Sequence, residues 1–247
     1  MEGTAARLTW LGHSTVLVEL DGARVLTDPV LRRLVGHLQR SSPVAGRTLG
    51  RLDLVLVSHV HYDHLDLRSL ASLDVERVAV PAGAAKLVRR RVKADVVELE
   101  VGDELEVGAV RVRATHADHP ANRLPLTQEL PSLGFVIAGS RSVYFAGDTD
   151  LFDGMESLAP GLDVALLPVA GWGPKLPAGH MDPRAAAEAA RRLRPRIAVP
   201  IHWGTYRPIY RRTSYDPLAP ESFAAAVREL APGVEPRILQ EGETLSL

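Results

Sequence analysis

The segment Ser58-His59-Val60-His61-Tyr62-Asp63-His64-Leu65-Asp66, called the histidine loop below, decides the interpretation of this chain. It holds three of the nine histidines and two carboxylates. The preceding run Leu54-Val55-Leu56-Val57 is wholly apolar, which is typical of a buried strand. The loop therefore begins where a core strand ends, the place where open α/β sheets bind their ligands. So many ligand-capable side chains in one short segment indicate a metal site.

The spacing within the histidine loop suits two ion positions. His59 and His61 are two residues apart, so in an extended chain they point to the same side and can share one ion. Asp63 and His64 lie beyond a turn and can reach a second position nearby. The alternative interpretation is a polar, solvated turn without an ion.

Composition bounds the class of protein. The 247 residues suffice for one large core or two small ones, and because we find neither a linker nor a short repeat, we predict a single domain over residues 1–247. The net charge of −1 gives no electrostatic reason to expect nucleic acid as a partner. The absence of cysteine excludes disulfides, cysteine-ligated metals and a thiol nucleophile.

The first residues and the hydropathy pattern bear on location. The segment Met1-Glu2-Gly3-Thr4 lacks a basic stretch leading into an apolar one, and no apolar run approaches the ~20 residues that span a bilayer. We therefore expect a cytoplasmic protein without a membrane span that acts on a small-molecule substrate. A homo-oligomer remains open.

Turn residues and apolar periodicity predict an alternation of strands and helices. Asp21-Gly22 is a favoured type I′ pair between two strands, and Asp182-Pro183 combines an N-cap with proline at the first helical position. Strands are predicted at 16–20, 23–27, 53–57, 77–80, 133–138, 142–146, 163–168 and 196–200, with short β segments over 96–115. Helices are predicted at 66–72, 83–92, 183–194 and 220–230, a short helix or loop at 30–40, and a long functional loop at 117–132.

This order of elements predicts an α/β fold. Strands followed by strand–helix units, and then the same again, give a four-layer αβ/βα sandwich of two mixed β-sheets flanked by helices. Four polar residues far from the histidine loop end or follow predicted strands: His116, Asp148, His180 and His202. Because the ends of strands in one sheet converge in space, we expect these residues to meet the histidine loop.

The His-x-His-x-Asp-His loop, followed in order by His116, Asp148 and His202, resembles the metallo-β-lactamase superfamily over nearly the whole chain. Further motifs resemble the N-acyl-phosphatidylethanolamine phospholipase D-like hydrolases and, less closely, the L-ascorbate-6-phosphate lactonase group. These motifs are Trp10-Leu11-Gly12-His13-Ser14-Thr15, Thr27-Asp28-Pro29, Gly147-Asp148-Thr149, His180-Met181-Asp182-Pro183 and Ile201-His202-Trp203-Gly204-Thr205. The resemblance implies the metallo-β-lactamase fold.

The resemblance also implies a ligand set for two divalent metal ions. The first ion would be held by His59, His61 and His116, the second by Asp63, His64 and His202, and Asp148 would bridge the two. Imidazole and carboxylate ligands suit zinc first, with manganese and iron as alternatives.

Two such ions would explain why hydrolysis needs these residues. Ions about 3.5–4 Å apart can share a hydroxide, lower the pKa of its parent water to roughly 7 for zinc, and polarise the group under attack. Asp63 would orient that hydroxide or accept its proton, and His180 precedes a helix N-terminus that favours anions, so these two are the predicted catalytic residues. We expect His59→Ala or Asp148→Asn to abolish hydrolysis and lower the metal content.

Further candidates would contact the substrate: His13, His119, Arg123, Trp172, Lys175 and Trp203. The two basic residues would receive a phosphate or carboxylate, and the two tryptophans would wall a pocket. Each candidate also has a structural alternative, namely a core or loop histidine, a solvated surface charge, or a core tryptophan.

The predicted function is metal-dependent hydrolysis by a dinuclear-site hydroxide, acting on a phosphodiester of a small soluble or lipid-derived substrate. The lactonase relatives keep a cyclic ester open as an alternative. An alternative of another class is a non-catalytic metal- or ligand-binding protein on the same fold. The sequence distinguishes neither the ester class nor the metal.

Overall fold

The computed structural model describes residues 6–42, 49–123, 129–158, 160–171, 176–212 and 216–247. Its strands are β1 (Arg7–Gly12), β2 (Thr15–Leu20), β3 (Ala23–Thr27), β4 (Leu34–Val35), β5 (Leu38–Arg40), β6 (Leu52–Leu56), β7 (Val75–Pro81), β8 (Asp95–Leu99), β9 (Glu104–Val107), β10 (Val110–His116), β11 (Ala121–Asn122), β12 (Glu129–Leu130), β13 (Leu133–Ala138), β14 (Ser142–Phe145), β15 (Val164–Pro168), β16 (Ile197–Ile201), β17 (Tyr206–Pro208), β18 (Glu235–Pro236) and β19 (Thr244–Ser246). Its helices are α1 (Leu67–Ala71), α2 (Ala85–Val88), α3 (Pro183–Leu193) and α4 (Ala219–Leu230), with a 3₁₀ turn at Met155–Ser157.

Two mixed, seven-stranded sheets form the body of the fold. The first has the order β19-β1-β2-β3-β6-β7-β8, and the second has the order β18-β16-β15-β14-β13-β10-β9. Strands β3, β6, β7 and β8 are parallel, as are β14, β15, β16 and β18. The remaining neighbours in both sheets pair antiparallel.

Alternation along β6 shows how the layers form. Leu54 and Leu56 belong to the apolar cluster between the two sheets, whereas Val55 and Val57 pack on the outer face with residues of α1 and α2. All four side chains are fully buried because both faces of the strand are covered. Helices α3 and α4 cover the outer face of the second sheet. The predicted four-layer sandwich is thereby confirmed.

Local sequence signals set several boundaries of these elements. Asp21 and Gly22 have φ values of 49° and 85°, as a type I′ turn requires, and join β2 to β3. The Asp182 carboxylate accepts a hydrogen bond from the Ala185 N–H at 2.7 Å and caps α3. These two signals match the prediction, whereas the helix predicted at 83–92 is only the short α2.

Residues 30–40 differ from the prediction of a short helix or loop. They contain β4 and β5, and β5 pairs with β17 so that Arg40 lies opposite Tyr206. The pairing joins segments that are far apart in the sequence, so the local pattern of residues does not reveal it.

The strand order brings many carboxyl ends to one edge of the sandwich. Strands β6, β14, β15 and β16 continue into loops that carry predicted site residues, and β3 leads into the motif that contains Asp28. Alternating antiparallel neighbours direct β1 and β10 to the same edge. Among the helices of the described segments, none has the length and apolar character needed to cross a membrane.

Candidate metal centre

The histidine loop folds into a tight turn after β6. The N–H groups of His64 and Leu65 both donate to the His61 carbonyl, at 3.1 and 2.8 Å. Asp66, the last residue of the loop, accepts from the Ser69 N–H at 3.0 Å and caps α1. The turn therefore directs His59, His61, Asp63 and His64 toward the sandwich edge, while Asp66 has a structural role.

Three imidazoles meet at one side of the edge, and we call His59, His61 and His119 the histidine group. His61 Nδ1 lies 3.0 Å from His59 Nε2 and 3.0 Å from His119 Nε2. One nitrogen of each ring lies within 4.8 Å of those of the other two, close enough for the three to bind one ion.

The structure corrects the expected position of His116. This side chain is exposed at the end of β10, where its ring packs edge-on against Phe152 with centroids 4.8 Å apart. The loop after β10 brings His119 inward instead. It is held by hydrogen bonds from the Asp118 N–H to Thr149 Oγ1 at 2.8 Å and from the Asp150 N–H to the Asp118 carbonyl at 2.9 Å.

A second set of side chains, called the mixed group, consists of His13, Asp63, His64 and His202. Asp63 Oδ2 lies 3.3 Å from His13 Nε2, 3.6 Å from His202 Nε2 and 3.7 Å from His64 Nε2. All four residues are buried. This set combines a carboxylate with imidazoles, and thus differs in charge from the histidine group.

Asp148 lies between the two groups. Its Oδ2 is 3.1 Å from His64 Nε2 and 3.2 Å from His202 Nε2 in the mixed group. It is also 3.4 Å from His180 Nε2, and Asp148, His180 and His119 form a further set of close ligand atoms. The open side of the cluster includes His180 and Asp63, whose side chains keep 11% and 13% of their exposure.

In four of these rings, Nδ1 contacts an oxygen atom of another residue. The contacts are His59 Nδ1 to Ser58 Oγ at 2.9 Å, His64 Nδ1 to Asp28 Oδ2 at 2.7 Å, His119 Nδ1 to the Gly179 carbonyl at 2.8 Å, and His202 Nδ1 to the Ala170 carbonyl at 2.8 Å. Each contact turns Nε2 of its ring toward the cluster. Metal-binding histidines are oriented by partners of this kind.

Asp28 contacts the mixed group directly through His64 and the histidine group indirectly through Ser58. Its carboxylate is fully buried and accepts hydrogen bonds from the Ser58 N–H at 2.7 Å and from Ser58 Oγ at 2.6 Å. It also contacts His64 Nδ1, while Ser58 Oγ contacts His59. Burial raises the pKa of Asp28, and the contacts with His64 and Ser58 oppose that shift. One carboxylate thus orients an imidazole of each group.

The pKa values of the histidine group favour neutral rings. Burial lowers the pKa of His59 well below its ordinary value, with His64 and His119 adding to the shift. Burial also lowers the pKa of His61 and brings that of His119 to about 4. Neutral imidazoles keep the lone pairs that an ion requires.

The carboxylates reverse this trend in the mixed group. Burial by itself would lower the pKa of His202, but Asp148 and Asp63 outweigh it and raise that pKa to about 9. The same two carboxylates raise the pKa of His64 well above its ordinary value against the effect of burial. The pKa values of Asp63 and Asp148 are held well below the usual range by nearby histidines, although burial opposes this. The two carboxylates therefore favour positive charge beside them, whether on the imidazoles or on a bound cation.

The backbone is strained at three points around the cluster. The φ angle is positive at His13 (54°), Asp28 (32°) and His202 (62°), a region that residues other than glycine seldom adopt. Such strain persists where surrounding contacts enforce it, and it concentrates at functional sites.

The residues of this centre fit divalent metal ions. Asp148 Oδ1 is buried and has no hydrogen-bond partner among the described residues, which is unusual for a carboxylate oxygen. Imidazole nitrogens and carboxylate oxygens together are the donors that zinc takes in proteins. The His/Asp cluster can therefore bind metal. Its close ligand atoms fall into four overlapping sets, of which the histidine group and the mixed group share no residue.

Two residues expected at the substrate also have contacts within the protein. Arg123 Nη1 donates to the carbonyls of Val60 at 2.8 Å and Leu65 at 2.7 Å, and its guanidinium lies 3.9 Å from the centre of the Tyr62 ring. Trp203 is partly buried, stacks on Trp10 at 4.9 Å and packs against the core. Arg123 thus fixes the histidine loop from the side, a role that its sequence position does not indicate.

Apart from Asp63 and His119, two of the other predicted catalytic and substrate-binding residues lie in the cluster and two fall outside the described residues. His13 and His180 lie in the cluster, with His13 behind Asp63 and His180 at its open side. Trp172 and Lys175 fall outside the described residues. The sequence did not identify Gly179 and Ala170, whose carbonyls orient two of the rings, because any residue offers a carbonyl.

The family profile described as "Beta-lactamase superfamily domain" matches residues 23–203, which include the histidine loop, Asp148 and His202. The chain belongs to this family. The UPF0173 metal-dependent hydrolase of Methanopyrus kandleri is 33% identical over 253 residues, covering 96% of this chain and 98% of that protein. The N-acyl-phosphatidylethanolamine-hydrolyzing phospholipase D 1 of Caenorhabditis elegans is 33% identical over 227 residues, covering 80% of this chain and 64% of that protein.

Solved structures of other proteins have the same fold as this chain. The metallo hydrolase Igni18 of Ignicoccus hospitalis superposes with a TM-score of 0.75 over 99% of both chains, at 24% identity. The chain described here therefore has the metallo-β-lactamase fold that its motifs predict. At this level of identity the likeness concerns the fold, and the reaction must be argued from the site.

Proposed function

We propose that this protein is a metal-dependent hydrolase that uses two divalent cations to cleave phosphodiesters. The observation that carries the proposal is the position of Asp148, buried between a group of three imidazoles and a second group that contains a carboxylate. The relative in Methanopyrus kandleri, described as a metal-dependent hydrolase, covers nearly the full length of both chains and supports the same general activity.

The proposed ligands follow the geometry of the two groups. His59, His61 and His119 would hold the first ion, with His119 in the place that the sequence suggested for His116. Asp63, His64 and His202 would hold the second, and Asp148 would contact both ions. Zinc suits this set of donors best, with manganese and iron as alternatives.

The ions would supply an activated water at neutral pH and would polarise the ester under attack. The residues of the chain supply the rest. The Asp63 carboxylate, held beside three imidazoles, would accept a proton from the attacking water. His180, on the open side of the cluster, would donate a hydrogen bond to an oxygen of the substrate. Asp28 and the backbone carbonyls would keep the rings oriented throughout.

The phosphodiester is proposed because of one relative. The phospholipase D of Caenorhabditis elegans, by its name, hydrolyses N-acyl-phosphatidylethanolamine, and it shares 33% identity with 80% of this chain. A phosphodiester has anionic oxygens that two bound cations would polarise. The substrate class here is a phosphodiester of a small soluble or lipid-derived molecule.

A substrate panel tests this proposal. Purified protein, with its bound metals measured, is assayed on bis(p-nitrophenyl) phosphate and on a series of lactones, each with and without a chelator. We expect phosphodiester turnover that the chelator abolishes and that added Zn²⁺ or Mn²⁺ restores. Turnover of lactones alone would contradict the substrate class. No turnover of either class with metal fully bound would favour a metal-binding protein without catalysis.

A further inference from the structure

The backbone of His13 is held in a strained conformation by three hydrogen bonds. Its φ is 54°, and its carbonyl accepts from the His202 N–H at 3.0 Å and from the Trp10 indole N–H at 2.9 Å. Its own N–H donates to Thr205 Oγ1 at 2.7 Å. Backbone in this region persists only where contacts over-determine it. The fold therefore maintains this strain at a residue that the proposed ion ligation does not use.

The strained backbone aims a fully buried imidazole at Asp63. His13 Nε2 lies 3.3 Å from Asp63 Oδ2, and the His13 ring centre is 4.1 Å from that of His202. A carboxylate accepts hydrogen bonds and donates none, so the proton in the contact with Asp63 resides on His13 Nε2. His13 thus contacts two members of the mixed group, Asp63 through its side chain and His202 through its carbonyl.

We propose that His13 is a positioning residue for the second ion: its imidazole fixes one oxygen of Asp63 in the orientation that binds the ion. This inference rests on the two-ion site proposed above. It replaces the substrate contact that the sequence suggested for His13, because the ring is fully buried behind Asp63. Partners that orient a metal ligand in this way typically change metal affinity by about 10–100-fold when they are removed.

A pair of amide variants separates the side chain from the backbone. The amide nitrogen of His13→Gln reaches the place of Nε2 and can still donate to Asp63, whereas that of His13→Asn ends near the place of Nδ1 and does not reach. Backbone strain alone predicts the opposite order of tolerance, since asparagine adopts positive φ more readily than glutamine. The ranking of the two variants therefore tests the role of the side chain directly.

The measurement is a titration of metal-free protein with Zn²⁺ against a competing chelator. Asp63→Asn identifies the equivalent bound by the mixed group. We expect two equivalents in the unchanged protein, about 10–100-fold weaker binding of the mixed-group equivalent in H13N, and near-normal binding in H13Q. The histidine-group equivalent should keep its affinity in both variants. If H13N does not fold, His13→Ala takes its place with the same expectation.

Two outcomes would overturn the inference while leaving the two-ion site intact. One is an H13N variant that binds the mixed-group ion as tightly as the unchanged protein. The other is an H13Q variant that loses as much affinity as H13N, which would make the imidazole itself a ligand. Fewer than two equivalents in the unchanged protein would overturn the proposed site and this inference with it.

Discussion

The histidine group and the mixed group lie side by side, but they are built in different ways. The histidine group contains only imidazoles, and one of them, His119, comes from an irregular loop. The mixed group contains a carboxylate, has three fully or nearly fully buried imidazoles, and takes His13 and His202 directly from the ends of β1 and β16. Strained backbone occurs in the mixed group, at His13 and His202, whereas every member of the histidine group has an ordinary φ.

This contrast suggests a division of tasks. Neutral imidazoles hold an ion without adding charge, whereas Asp63 adds a negative charge that can also accept a proton. Asp148 belongs to both environments, since it contacts the mixed group directly and lies close to His119. Substitutions should therefore separate into those that affect one group and those that affect both.

The largest effect is expected from Asp148→Asn. The change removes the negative charge that the two groups share, so both ions should bind more weakly and turnover should fall by about 10³-fold. Metal analysis and steady-state kinetics on the same preparation check this. Full activity with two bound ions would remove Asp148 from the site.

A paired substitution then tests whether the groups bind independently. His59→Ala should lose the ion of the histidine group, and Asp63→Asn should lose that of the mixed group, because each change removes one donor from one group only. Each variant should keep about one equivalent of metal and lose about 10²-fold or more in turnover. Metal analysis after dialysis distinguishes this from a single shared site, in which either change would remove all the metal.

His119→Ala and His116→Ala form a matched pair only three residues apart. The first removes a buried donor of the histidine group, and the second removes an exposed ring that packs against Phe152. We expect His119→Ala to lose one equivalent of metal and most activity, and His116→Ala to keep both. The reverse result would show that the loop after β10 places the other histidine at the ion.

A smaller effect is expected from Asp28→Asn. Asp28 orients His64 directly and His59 through Ser58, so the affinity of both groups should fall by about 10–100-fold, measured by competition with a chelator. Asp66→Asn is the control, because this buried carboxylate of the same region caps α1 and contacts no ring of the two groups among the described contacts. It should cost about 1 kcal/mol of stability and leave metal affinity unchanged. Equal metal affinities in D28N and D66N would contradict the role of Asp28.

The sequence predicted the sheets well because their signals are local. The apolar run before the histidine loop, the Asp21-Gly22 turn and the Asp182 cap each act within a few residues, and the structure contains the expected elements there. Strands β5 and β17 were missed because they pair between distant segments, and the strands β1, β4, β11, β12, β18 and β19 were not predicted either.

The same limit explains the exchange of His116 for His119. At the sequence level His116 stands at a strand end, which is where ligands are expected. The histidine that turns inward is set by the contacts of Asp118 with Thr149 and Asp150. Those two residues follow β14, far from Asp118 in the sequence. The contacts of Arg123 could not be predicted for a similar reason, since the carbonyls it binds become neighbours only after folding.

We propose that one cluster holds two ions in two chemically different groups. Anomalous diffraction at the zinc absorption edge, from crystals of the zinc-loaded protein, tests it most directly. We predict two peaks, one in contact with His59, His61 and His119 and the other in contact with Asp63, His64 and His202. A single peak in the cluster, or a peak against His116 in place of His119, would contradict the account.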